Sequence, residues 1–146
     1  MDSELNDILL KDRPPIELLV DDISILWKYV EISKGVYLEV GTYKGGSAYL
    51  MSFVADKVIT LDVFEDLQES DSSGYTYPHC FLNNKYDDVK KSLSVRDNIE
   101  VFKGTSPEVS TKFVGGIDIL FIDGGHTYDA VKLDFDTWFP RVKNPI

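Results

Sequence analysis

The sequence predicts an α/β domain built on a doubly wound parallel sheet. Three observations predict it. Short β-branched apolar runs alternate with longer stretches of helical periodicity, which is the order of strand–helix–strand units. The apolar runs are continuous rather than alternating, as in strands buried on both faces. A glycine-containing turn follows the first run, where such sheets place a ligand. Right-handed crossovers then put helices on both faces.

The elements follow in order. Apolar residues recur at Ile16, Leu19, Val20, Ile23, Leu26, Trp27 and Val30. This spacing predicts a helix over residues 15–33, entered at Pro14-Pro15 and left at Lys34-Gly35. Val36–Val40 reads as a buried strand, residues 47–55 as a helix and residues 57–63 as a second strand. The polar segment 65–83, with Tyr75, Tyr77 and Phe81, reads as a long loop or lid. A charged helix over residues 85–93 leads to a third strand, residues 99–102. A short helix at residues 107–113 precedes the most apolar strand, residues 117–122, and a last helix covers Tyr128–Trp138. Residues 1–34 are thus expected as an N-terminal helical segment and residues 35–146 as the core domain.

At 146 residues the chain has the size of one domain, and 43% apolar content supports a packed core. The net charge of −10 disfavours a nucleic-acid backbone as partner, because phosphate affinity comes from Lys and Arg. It favours a small neutral or cationic partner. The one cysteine, Cys80, forms no internal disulfide, which suits a reducing compartment. No apolar run approaches the ~20 residues of a membrane span. The N-terminus carries Asp2, Glu4 and Asp7 in place of a basic region. A cytoplasmic protein without a membrane partner is expected.

The first turn reads Glu39-Val40-Gly41-Thr42-Tyr43-Lys44-Gly45-Gly46-Ser47. Gly41 permits a sharp turn, and Gly45-Gly46 would let a ligand approach the helix start. The helix N-terminus offers free N–H groups, and Ser47 a hydroxyl donor. An ordinary tight turn explains the same glycines. The spacing Glu-x-Gly-x-x-x-Gly-x-Ser departs from the dinucleotide pattern Gly-x-Gly-x-x-Gly, which disfavours a nicotinamide-dependent oxidoreductase. Asp62 closes the second strand about 20 residues after the turn, where a carboxylate accepts both hydroxyls of a ribose; a turn cap is its other reading. Thr105 and Ser106 follow the third strand. Ser106 before Pro107 has the form of an N-cap, with adenine contact as an addition. The fourth strand ends in Asp123-Gly124-Gly125-His126, which brings a carboxylate and an imidazole to the same edge. His is the side chain best tuned to take a hydroxyl proton near neutral pH. Asp123 could orient an amino group or start a divalent-cation site; a plain turn with Thr127 as N-cap and a structural His126 is the other reading.

The two stretches Glu39-Val40-Gly41-Thr42-Tyr43-Lys44-Gly45-Gly46-Ser47 and Ile117-Asp118-Ile119-Leu120-Phe121-Ile122-Asp123-Gly124-Gly125-His126-Thr127-Tyr128 together resemble the class I S-adenosylmethionine (SAM) methyltransferases. The resemblance is to the bacterial group that includes the macrolide-sugar O-methyltransferases. Tyr128, Val131, Asp134 and Trp138 continue the pattern, which spans residues 36–140. It implies a Rossmann-like sheet of strand order 3-2-1-4. It also implies that Glu39, Gly41, Thr42, Gly45 and Ser47 surround the methionine part of SAM. Asp62 would hold the ribose, and Thr105 and Ser106 the adenine side. Asp123 would bind the methionine amino group or a divalent cation such as magnesium, with Asp123 and His126 catalytic and His126 the base.

The resemblance further implies a fifth strand, and residues 141–146 sit where its lead-in belongs. The sequence is therefore expected to stop before the fold is complete. Order 3-2-1-4 leaves strand four as an apolar edge, a site for pairing with a second copy. Two functions compete: O-methylation of a small-molecule hydroxyl, and non-catalytic binding of SAM or a nucleotide by a module that depends on a partner chain.

Overall fold

A computed structural model describes residues 2–64 and 85–144; the expected loop 65–83 and Cys80 lie outside them. The described elements are α1 (Ser3–Leu9), α2 (Val20–Ser33), β1 (Val36–Val40), α3 (Gly46–Met51), β2 (Lys57–Asp62), α4 (Tyr86–Leu93), β3 (Ile99–Lys103), α5 (Ser106–Ser110), β4 (Ile119–Ile122) and α6 (Tyr128–Trp138). A 3-10 turn, Phe139–Arg141, follows α6. The four strands form one sheet of order β3-β2-β1-β4, and all three pairings are parallel.

Alternation along the strands builds two apolar layers. Tyr37 and Val58 join Ile23, Trp27 and Val30 of α2, Leu50 and Met51 of α3, and Val89 and Leu93 of α4 on one face. Leu38, Val40, Ile59 and Leu61 join Val109, Phe113, Ile117 and Trp138 on the other. Each fully buried Leu or Ile contributes about 1.5–3 kcal/mol, so both layers are needed to hold so short a sheet.

The N-terminal segment differs from expectation. Residues 15–19 are not helical and α2 begins at Val20, while an unforeseen helix, α1, begins behind an Asp2 cap. Asp2 accepts the N–H of Glu4 at 2.8 Å. Leu5 and Ile8 of α1 enter the same layer as α2 and Tyr37, so this segment shares the core of the sheet.

At the far edge, the residues of β4 are all half-buried. Val142 forms an isolated parallel bridge with Ile117, and Lys143 N–H donates to the Ile117 carbonyl at 2.9 Å. The chain thus turns back alongside the lower end of β4. No helix among the described residues is long and apolar enough to cross a membrane.

Candidate active site

The strand order reverses between β1 and β4, and a cavity of about 610 Å³ opens above that point. The four strand ends contribute Val40–Tyr43, Leu61–Val63, Gly104–Ser106 and Asp123–His126. Gly46 and Ser47 of α3 and Ala130, Leu133 and Asp134 of α6 complete the floor and sides. Pro15, Ile16, Glu17 and Leu18 form a further wall. The sequence did not point to that wall, because Ile16 and Leu19 satisfied a helical period. The Pro14-Pro15 pair was the available signal for extended chain.

The glycines of the first turn serve the scaffold. Gly41 has φ +99°, and a Cβ there would overlap the Asp123 carbonyl oxygen. The β1 and β4 turns touch at this point, and Asp123 N–H donates to the Val40 carbonyl at 2.8 Å. Gly45 (φ +85°) would bring a Cβ within 2.7 Å of Leu93, and a Cβ on Gly46 would overlap the Pro15 carbonyl. The expectation that Gly45-Gly46 clear a path for a ligand is therefore corrected: protein fills that space. Gly45 does not line the cavity.

Glu39 does not line it either. Strand alternation turns its side chain inward beside Thr60, its register partner on β2, and it is completely buried. It accepts hydrogen bonds from the Tyr37 hydroxyl at 2.7 Å and the Thr60 hydroxyl at 3.2 Å, and another from Ser47. Burial raises its pKa to about 7 against the pull of those three donors. The Thr60 oxygen also meets the Thr42 hydroxyl at 2.7 Å. Glu39 thus reaches the cavity only through Thr42 and Ser47, which do line it.

Asp62 lines the cavity and shapes it. Its two carboxylate oxygens accept Tyr43 N–H at 2.9 Å and Phe64 N–H at 3.1 Å. Both donors belong to residues at positive φ, +51° and +49°. The turn-cap reading of Asp62 is therefore present in the fold, and it leaves further lone pairs toward the cavity.

Ser106 is not the N-cap of α5. Thr105 is, and Glu108 accepts from both its N–H and its hydroxyl at 2.8 Å. The Thr105-x-x-Glu108 capping box is the sequence signal that marks this start. Ser106 is buried; its hydroxyl donates to Asp134 at 2.6 Å and accepts from the Trp138 indole N–H at 2.9 Å. Asp134 is the lining residue that sequence reasoning left without a role. Its signal was an acid four residues before Trp138 on the inward stripe of α6.

Asp123 and His126 both line the cavity, 3.7 Å apart from Oδ1 to Nε2. Their side chains are 44% and 55% exposed, so solvent reaches both. Burial raises the Asp123 pKa, and His126 partly offsets that. Thr127 caps α6 by accepting Ala130 N–H at 3.2 Å, which holds the turn in place. Among the described residues no group of three or more His, Cys, Asp or Glu is arranged to hold a metal.

Comparison with known proteins agrees with this geometry. A family model described as a methyltransferase domain matches residues 38–145. An O-methyltransferase from Bacillus cereus, solved with S-adenosylhomocysteine, superposes at a TM-score of 0.62 with 18% identity, over 98% of this chain and 63% of that one. Calicheamicin methyltransferase gives a TM-score of 0.62 with 14% identity, over 96% and 72%. A precorrin 8W decarboxylase from Methanobacterium thermoautotrophicum gives 0.60 with 18% identity, over 89% and 61%. The chain therefore spans less than two thirds of the first and third of these proteins. Identities this low establish a shared fold and leave the chemistry to the site. With the family match covering most of its length, the chain belongs to the methyltransferase-domain family, and its fold is that of the methyltransferases it superposes on.

Proposed function

We propose that this domain binds SAM at the carboxyl edge of its sheet and methylates a hydroxyl oxygen of a small molecule, with His126 as general base. One observation carries the reading: Asp62, the Gly41–Tyr43 turn, Asp123 and His126 line a single cavity at the topological switch point. The residues there fit the cofactor. Thr42, Tyr43 and Ser47 would meet its methionine end and Asp123 the amino group. Asp62 would take the ribose, and Thr105 and Ser106 would border the adenine. Bound SAM supplies an electrophilic methyl group on a sulfonium sulfur.

The chain's own contribution is positioning and proton removal. His126 accepts the proton of the acceptor hydroxyl as the oxygen becomes nucleophilic. Asp123, 3.7 Å away, stabilises the resulting imidazolium. The lining carries Glu17, Asp62, Asp123 and Asp134 and, among the described residues, no Lys or Arg. That charge balance favours a neutral or cationic acceptor over a phosphorylated one.

The test has two stages. Calorimetric titration with SAM, and with NAD as control, should give saturable binding of SAM alone. In an acceptor screen, His126→Ala should then lower kcat by about 100-fold or more while the SAM Kd stays within about threefold. Unchanged turnover in His126→Ala would remove His126 from the mechanism. SAM binding without turnover toward any hydroxyl acceptor would favour a non-catalytic module.

A further inference from the structure

We infer that Asp134 reads the exocyclic amine of the adenine ring, and so sets which nucleoside the cavity accepts. The inference rests on the SAM reading above and adds a recognition residue to it.

The argument follows the protons. An indole N–H only donates, so the Trp138 bond to Ser106 Oγ fixes the serine oxygen as an acceptor there. The single serine proton then goes to Asp134 Oδ1, at 2.6 Å. Oδ1 is thereby committed, and the carboxylate cannot rotate without breaking the chain. Oδ2 has no hydrogen-bond partner among the described residues. Asp134 is only 8% exposed, yet it lines the cavity. Oδ2 lies beside the Gly124 turn of β4, 3.5 Å from where a Cβ on Gly124 would stand. Oδ2 keeps contact with the cavity, and a bound donor there makes a charge-assisted hydrogen bond to it.

Geometry selects the donor. The α3 start and the Pro15–Leu18 wall border the cavity from one face of the sheet, whereas α5 and α6 pack together on the other. A ligand whose methionine end lies near Ser47 and whose ribose meets Asp62 presents its base to the α5–α6 side. There Ser106 and Asp134 stand with Leu133 as an apolar wall. A carboxylate oxygen accepts from the adenine amine, and it repels the carbonyl oxygen that replaces that amine in hypoxanthine. A merely structural Asp134 would satisfy Ser106 equally well and show no such preference.

The experiment is calorimetry with S-adenosylhomocysteine and with S-inosylhomocysteine, its 6-oxo counterpart. The wild type should bind the amine form at least about tenfold more tightly, the ratio expected for one hydrogen bond to a charged group. In Asp134→Asn the side-chain carbonyl still accepts from Ser106, which turns the amide N–H2 toward the cavity. The ratio should fall to parity or reverse. Equal wild-type affinities, or an unchanged ratio in a folded Asp134→Asn, would overturn the inference while leaving SAM binding intact. A wild-type protein that binds neither ligand would overturn the SAM reading itself, and this inference with it. Should Asp134→Asn not fold, the Asp134 carboxyl carbon resonance of the wild type decides. It should shift with S-adenosylhomocysteine and stay in place with the inosyl form; identical responses to both would overturn the inference.

Discussion

Glu39 offers the sharpest physical test of the scaffold. It is a wholly buried carboxyl whose pKa is raised to about 7, with burial outweighing hydrogen bonds from Tyr37, Ser47 and Thr60. A raised native pKa means that the folded state holds the proton more tightly than the unfolded chain does. The associated stability is complete below the unfolded value, 4.5, and is lost as pH rises through about 7. Linkage between those two values gives a loss of about 2.5 kcal/mol between pH 5 and pH 8. Glu39→Gln abolishes the titration and keeps nearly the same shape. Urea unfolding of wild type and variant at matched pH cancels every other titrating group in the difference. The variant should gain on the wild type by about 2.5 kcal/mol from pH 5 to pH 8. A difference that stays flat across that range would show that the three hydroxyl donors hold Glu39 ionised throughout, and the burial argument would fail.

Other perturbations have equally definite outcomes. Gly41→Ala forces a side chain into left-handed backbone and against the Asp123 carbonyl; a loss of roughly 3 kcal/mol or more is expected in thermal or urea melts. Ser106→Ala leaves the Trp138 N–H and Asp134 Oδ1 without their shared partner and should cost about 1–3 kcal/mol in urea unfolding at pH 7. Asp118 accepts Val36 N–H at 2.8 Å, a bond that, with Lys143, holds its pKa below the usual carboxylate value. Its contribution should be present above the unfolded pKa and vanish as pH falls through the lower native one. Asp118→Ala should therefore cost about 1–2 kcal/mol at pH 7 and progressively less in acid melts.

Much of the fold was legible because burial on both faces writes itself into continuous apolar runs. β1 and α6 occur at their expected bounds, and the other strands differ by one or two residues. The failures share one cause: a local rule was outweighed by tertiary contact. Ile16 and Leu19 fit a helical period, yet Ile16 lies in irregular chain against Gly46 of α3 and the cavity. Glu39 reads as a ligand group at a strand end, but its inward register with Thr60 makes it a buried brace. Asp62 and the β4 turn line the cavity because the carboxyl ends of parallel strands converge by topology alone. Asp134 stood in the pattern without a role because its partner, Ser106, lies 28 positions away in the chain.

The packing of Pro15 onto Gly46 has an evolutionary side. The cavity floor belongs to the strands, where a change at one turn strikes the next, as Gly41 strikes Asp123. Its outer wall belongs to a stretch of chain that rests on the helical layer through Ile16 and Leu18 and on Gly46 through Pro15, with Glu17 exposed along it. On the proposed function, substitution at Glu17 would alter what an incoming acceptor meets and would ask no accommodation from the sheet. Divergence of acceptor preference would then proceed along this border while the nucleoside end stays fixed, so relatives sharing every strand-end residue would still differ in what they modify.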